Sequence, residues 1–141
     1  MTTFSVDSNI VSALWDETDS LNMRARRFLD YARNCGDLVI CGPVYAEVLA
    51  HPSRSMDKID AFLGSTGIRV DWEVSEAIWR AAGLAFQSYV RRRVEQTGIW
   101  PRRIMADFFI GAHSFANGYT LTTLDERIYA VSFPGILLQS L

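Results

Sequence analysis

Thr3-Phe4-Ser5-Val6-Asp7-Ser8-Asn9-Ile10 is the stretch from which the rest of the chain can be read. Thr3 to Val6 has the character of a short buried strand. Asp7, Ser8 and Asn9 end it, and such short polar side chains suit the cap of a helix starting near Ile10. The same handover from strand to helix then recurs along the sequence. Leu21, Ala25, Phe28, Leu29 and Ala32 follow helical spacing, with Gly36 placed to stop that helix. Leu38-Val39-Ile40-Cys41 is a fully apolar strand, and Pro43 suits the first turn of a helix carrying Tyr45, Glu47 and Val48.

Further on, Ser55 is placed to cap a short helix reaching Leu63, with Gly64 and Gly67 as its breakers. Ile68 to Trp72 alternates like a strand. Ser75 opens a long helix whose inner face includes Ile78, Ala82, Ala85, Phe86, Tyr89 and Val90, and Gly98 closes it. Ile99-Trp100-Pro101 reads as a linker, because the residue before a proline is biased away from helix. A helix from about Ile104 to Asn117 is stopped by Gly118. Tyr119 to Thr122 is a strand, Asp125 to Tyr129 a turn or short helix, and Ile136 to Leu138 a last strand. Strands separated by helices predict an α/β fold, with a central parallel sheet of about four or five strands sandwiched between helical layers. The apolar strands agree, since both faces of such a sheet are covered.

The chain of 141 residues is expected to form one domain over positions 1–141, with no internal repeat and no low-complexity tract. Hydrophobic residues make up 49% and charged residues 21%, which argues against disorder. Fourteen basic side chains stand against sixteen acidic ones, so no global basic field advertises nucleic acid. The start of the chain has neither a charged nor an apolar leader segment, and no stretch approaches membrane-spanning length. A cytoplasmic protein without a membrane partner is expected. Cys35 and Cys41 suit neither a zinc site nor a disulfide framework and read as small thiols.

Four acids fall at the handovers: Asp7, Glu47, Asp107 and Asp125. The carboxyl ends of parallel strands gather at one edge of the sheet, so these four are expected to converge there. Clustered carboxylates repel one another unless a cation sits between them, and a hard divalent ion is the economical choice. Asp7 and Asp125 also have a plain alternative as helix caps. Asp107 lies among Ile104, Met105, Ala106, Phe108, Phe109 and Ile110, where a buried acid needs a partner. Four residues on, Gly111 leaves room for a ligand or another backbone. Glu47 is likewise an acid in apolar company.

His51 and His113 are not read as catalytic. His113 lies six positions beyond Asp107 and so points away from it along a helix, and His51 reads as a helix-end residue meeting terminal carbonyls. The basic concentration Arg91, Arg92 and Arg93 with Arg102 and Arg103 is either a solvated helix end or a rim that grips phosphate. Tyr89, Trp100 and Tyr129 are candidates for stacking on bases, while Trp72 and Trp79 are assigned to packing.

Val6-Asp7-Ser8-Asn9, Tyr45-Ala46-Glu47-Val48, Ala106-Asp107-Phe108-Phe109-Ile110 and Leu121-Thr122-Thr123-Leu124-Asp125 together resemble the four acidic motifs of PIN domains. The length and the Phe133-Pro134-Gly135-Ile136 close are similar to VapC-type toxins of toxin–antitoxin pairs. The resemblance implies a single PIN-like domain and a Mg²⁺- or Mn²⁺-dependent endoribonuclease that leaves a 5′-phosphate and a 3′-hydroxyl. It implies Asp7 and Asp107 as the principal metal ligands, Asp125 and Glu47 completing the acidic pocket, and Asn9 and Thr123 orienting the carboxylates. It also implies RNA as substrate, a small antitoxin protein as partner, and a homodimer. The chain departs from the usual pattern at Ala50-His51-Pro52 and at Gly111. A non-catalytic PIN-like module that binds RNA or protein is the competing reading. A phosphoryl-accepting receiver or phosphatase of similar build lacks the second aspartate and the nearby lysine it needs.

Overall fold

A computed structural model describes residues 1–101 and 105–141. Its elements run β1 (Thr2–Val6), α1 (Ser8–Trp15), α2 (Asn22–Cys35), β2 (Gly36–Cys41), α3 (Gly42–Leu49) and α4 (Met56–Thr66). There follow β3 (Ile68–Asp71), α5 (Glu76–Thr97), α6 (Ala106–Asn117), β4 (Thr120–Thr122), α7 (Glu126–Ser132) and β5 (Leu137–Gln139). The strands form one sheet in the order β3-β2-β1-β4-β5, every neighbouring pair parallel. Phe4 pairs with Leu38 on one side and Thr120 on the other, so β1 is central.

In β1, Phe4, Ser5 and Val6 are consecutive and all buried. Successive strand residues point to opposite faces, so helices cover the sheet on both sides. Helix α2 buries Ala25, Phe28, Leu29 and Ala32 along one stripe, the pattern of an amphipathic helix lying on a sheet. Helix α6 buries seven consecutive residues, Phe108 to Ser114, and is enclosed all round. That accounts for its lack of a polar face in the sequence. Among the described residues no helix is long and apolar enough to cross a membrane.

Helix caps fall where short polar residues and glycines predict them. The Ser55 and Ser75 side chains accept from the Lys58 and Ile78 amides, opening α4 and α5. Gly118, at φ 67°, ends α6, and the Tyr119 amide donates to the Ser114 carbonyl at 2.9 Å to close the turn. Gly64 does not act as a breaker: α4 runs through it to Thr66, carried by the burial of Ile59, Leu63 and Thr66 on either side. A helical glycine costs only about 1 kcal/mol against alanine, which that burial exceeds. Arg102, Arg103 and Ile104, where the sequence predicts the start of the helix after Pro101, lie outside the described residues.

From β1 the chain steps to β2 on one side, while β4 lies on the other. The crevice between the carboxyl ends of β1 and β4 is therefore a topological switch point, where open α/β sheets place their sites.

Candidate metal-binding active site

Asp7 stands at the carboxyl end of β1 and caps α1, its Oδ1 accepting from the Ser8 amide at 2.7 Å. Capping and convergence are thus not alternatives here. Its Oδ2 accepts from the Thr123 hydroxyl at 2.7 Å and from the Tyr129 hydroxyl at 2.9 Å. The Asp7 amide donates to the Thr122 carbonyl at 3.0 Å, which extends the β1–β4 ladder to the site. Only 4% of Asp7 is exposed, so these donors replace the water that an ionised carboxylate would otherwise need.

Thr123 follows β4 and uses its whole hydroxyl. The proton goes to Asp7, while the oxygen accepts from the Asp125 amide at 3.0 Å and the Asn9 amide nitrogen at 3.5 Å. Asn9 Oδ1 in turn accepts from the Leu124 amide at 3.3 Å. Asn9 therefore straps the turn after β4 onto α1 and reaches Asp7 only through Thr123.

Glu47 projects from α3, half-buried, and its Oε2 is buried without a hydrogen-bond partner. Burial pushes its carboxyl above the ordinary range; the Ser8 hydroxyl works against that shift, and the charges of Asp7 and Asp107 add to it. Two other groups feel the same field. The Tyr129 phenol is held well above its usual value, first by burial and then by Asp7 and Asp107, with the hydrogen bond to Asp7 and the charge of Glu47 adding to it. The buried Cys41 thiol is pushed up to about 12, mainly by burial, with Asp7 and Glu47 contributing. Asp107 lies in the first turn of α6. Asp7, Glu47 and Asp107 thus share one electrostatic environment, assembled from β1, α3 and α6.

Asp125 occupies the cap position of α7 but makes no side-chain cap bond, so the plain capping alternative is not realised there. It is exposed and lines a cavity with Arg92 and Arg93. Arg91 is exposed and is not part of that lining. Arg102 and Arg103 lie outside the described residues.

Tyr129, Gly111 and His51 depart from what the sequence predicts. Tyr129 is 1% exposed and bonded to Asp7, so it is not a surface for stacking bases. Nothing in the sequence marks it as a donor, since its reach depends on α7 lying against the β1–β4 edge. The space beside Gly111 belongs to neither ligand nor backbone: a Cβ there would collide with the Phe133 ring. His51 does not meet helix-end carbonyls; its Nδ1 lies 2.8 Å from the Ser53 hydroxyl. Arg54 takes that role instead, donating to the Val48 carbonyl at 2.8 Å. Trp72 and Trp79 do pack, edge-on against Tyr45 and Phe109 at 5.0 Å and 4.2 Å, yet both remain more than half exposed. His113 is a structural residue, buried with its Nε2 at 2.8 Å from Asp71 Oδ2.

The chemistry of the acid set suits a hard cation. Every donor is a carboxylate or hydroxyl oxygen, and Glu47 keeps a buried oxygen that no protein group satisfies. Among the described residues no three His, Cys, Asp or Glu side chains stand at full ligating spacing. Mg²⁺ asks for less: it characteristically takes one or two carboxylates and keeps several waters.

A PIN-domain family model matches residues 5–134. The chain belongs to the PIN-domain family. Among solved structures it is similar to a chain of VapBC2 from Rickettsia felis bound to a promoter DNA fragment, at 19% identity and TM-score 0.66, covering 99% of this chain and 98% of that one. A chain of VapBC-1 from nontypeable Haemophilus influenzae matches at 20% identity and TM-score 0.62, with the same coverage of 99% and 98%. The FitAB complex on an IR36 DNA fragment gives 16% identity and TM-score 0.64, covering 97% and 94%. At such identities the likeness is one of fold. No curated protein matches the chain significantly.

Proposed function

We propose that this PIN domain is a divalent-metal-dependent endoribonuclease and the toxin of a toxin–antitoxin pair. One observation carries the chemical part: Glu47 Oε2, buried and without a partner, in the field of Asp7 and Asp107. A protein that only needed stability gains nothing from leaving a carboxylate oxygen bare among like charges. Membership of the PIN family and a fold shared with VapBC and FitAB complexes support the toxin part.

In this reading Asp7 and Asp107 hold one or two Mg²⁺ or Mn²⁺ ions, with Asp125 and Glu47 completing the acidic pocket. The bound cation supplies positive charge at the phosphoryl group and makes water a better nucleophile near neutral pH. Ser8, Thr123 and Tyr129 keep both Asp7 oxygens aimed in fixed directions. Glu47 Oε2 is available to accept a proton from the attacking water. The water oxygen bonds to phosphorus as one of its protons passes to Glu47, the P–O3′ bond breaks, and the departing 3′ oxygen takes a proton from solvent water. Single-stranded or looped RNA is the substrate class, since its bases are free to splay. A small antitoxin covering the acids, a homodimer and a cytoplasmic setting complete the proposal.

Asp107→Asn is expected to abolish cleavage of single-stranded RNA while leaving the circular dichroism of the metal-free fold unchanged. Full activity in that variant, or undiminished activity in excess EDTA, would overturn the mechanism. Calorimetric titration with Mn²⁺ separates the competing reading, because a non-catalytic module shows no carboxylate-dependent heat.

A further inference from the structure

We propose that the cavity beside Asp125 is a single-nucleotide subsite, which grips one phosphate of single-stranded RNA and reads the unstacked base attached to it. This rests on the nuclease reading and adds to it the place where sequence preference arises.

The cavity, of about 430 Å³, lies between α5 and α7. Small-ligand sites generally fall between about 300 and 1,000 Å³. Arg92 and Arg93 line it from α5, and Arg127 from α7, against the single carboxylate of Asp125. Three guanidiniums around one hollow are notable in a chain whose net charge is −2. Such local positive charge on an acidic protein marks a place for an anion, and guanidinium forks match phosphate oxygens.

The rest of the lining suits a base rather than a bare anion. Tyr89 is held in place by its contact with Phe108, ring centroids 5.5 Å apart, and it joins Ile128 and Val131 to give flat, partly apolar walls. Base stacking on such surfaces tolerates any sequence. Gln96 lines the cavity from α5 and is exposed, and its amide can both donate to and accept from a base edge. A duplex hides these base edges in pairs, so the cavity selects single strands.

Its position joins it to the acids. The Asp125 amide donates to Thr123 at 3.0 Å, and Thr123 donates to Asp7 at 2.7 Å. An RNA strand crossing from cavity to acids would therefore place a neighbouring nucleotide, not the scissile one, among the arginines.

The test is fluorescence anisotropy with labelled oligo-U, oligo-A and oligo-C decamers on the full chain in EDTA, where cleavage does not interfere. Arg92→Ala with Arg93→Ala is expected to weaken binding of all three about tenfold or more. The slope of log affinity against log salt should fall by about 0.7 for each phosphate the protein no longer neutralises. Gln96→Leu is expected to keep that slope and alter the ranking among the three decamers about threefold. Should the double variant fail to fold, Arg127→Gln, at an exposed position, reports the same loss of affinity and slope. Unchanged affinity in the arginine variants overturns the subsite. So does a glutamate-rich peptide of equal charge that competes as well as RNA, with no base ranking. Outcomes for the two readings separate cleanly. Lost RNA binding in a protein that never cleaves with Mn²⁺ removes the nuclease and keeps the subsite. Cleavage with unchanged KM and base preference in the arginine variants removes the subsite and keeps the nuclease.

Discussion

Asp7 receives hydrogen bonds from Ser8, Thr123 and Tyr129, so its direction is set from α1, from the turn after β4 and from α7. Tyr129→Phe removes one donor with almost no change in shape. A hydrogen bond to a charged group is worth about 1.5–3 kcal/mol, and that loss should appear in urea unfolding. Cleavage is expected to fall about 10–100-fold, as is usual when a group orienting a metal ligand is removed. Wild-type stability together with wild-type cleavage would show that Tyr129 merely fills space.

At the scale of elements, two unlike contacts help to fix α6 against its neighbours. Gly111 lets the Phe133 ring lie directly on the helix, so Gly111→Ala forces an overpacked α6–α7 contact. A cost of about 1–3 kcal/mol is expected, read as a lower melting temperature. On the opposite side, His113 ties α6 to the end of β3 through Asp71. Burial opposes ionisation of Asp71, but hydrogen bonds from His113 and the Glu73 amide, with the His113 and Arg69 charges, hold its pKa below the ordinary value. The folded form therefore binds a proton less readily than the unfolded chain. Stability from this group is fully present above the unfolded-state pKa of about 3.9 and is lost as pH falls through the lower folded value. Acid titration of unfolding should show that loss in the wild type and a flatter profile in Asp71→Asn. Identical profiles would remove the pairing as a source of acid sensitivity.

For the molecule as a whole, the packed elements bring Asp7, Glu47 and Asp107 into one electrostatic field at the sheet edge. A cation that binds only the folded state stabilises it by mass action, about 2.7 kcal/mol at one hundred times its dissociation constant. Mg²⁺ or Mn²⁺ is expected to raise the melting temperature of the wild type and to leave Asp107→Asn nearly unmoved. Equal shifts in both proteins would place the ion elsewhere.

The strand–helix alternation, the caps at Ser55 and Ser75 and the stops at Gly98 and Gly118 were legible in the sequence, because each depends on neighbours a few residues away. Membership of an all-parallel sheet followed from the same runs, since apolar strands with no polar face must be covered twice. Tertiary structure alone decided which acids meet and what holds them. Thr123 and Tyr129 lie 116 and 122 positions from Asp7, and no local pattern records that α7 brings Tyr129 to the residue after β1. The same packing filled the space at Gly111 with a ring and turned Asp125 towards arginines from α5. Local chemistry writes the elements; proximity across the sheet edge exists only once they are packed.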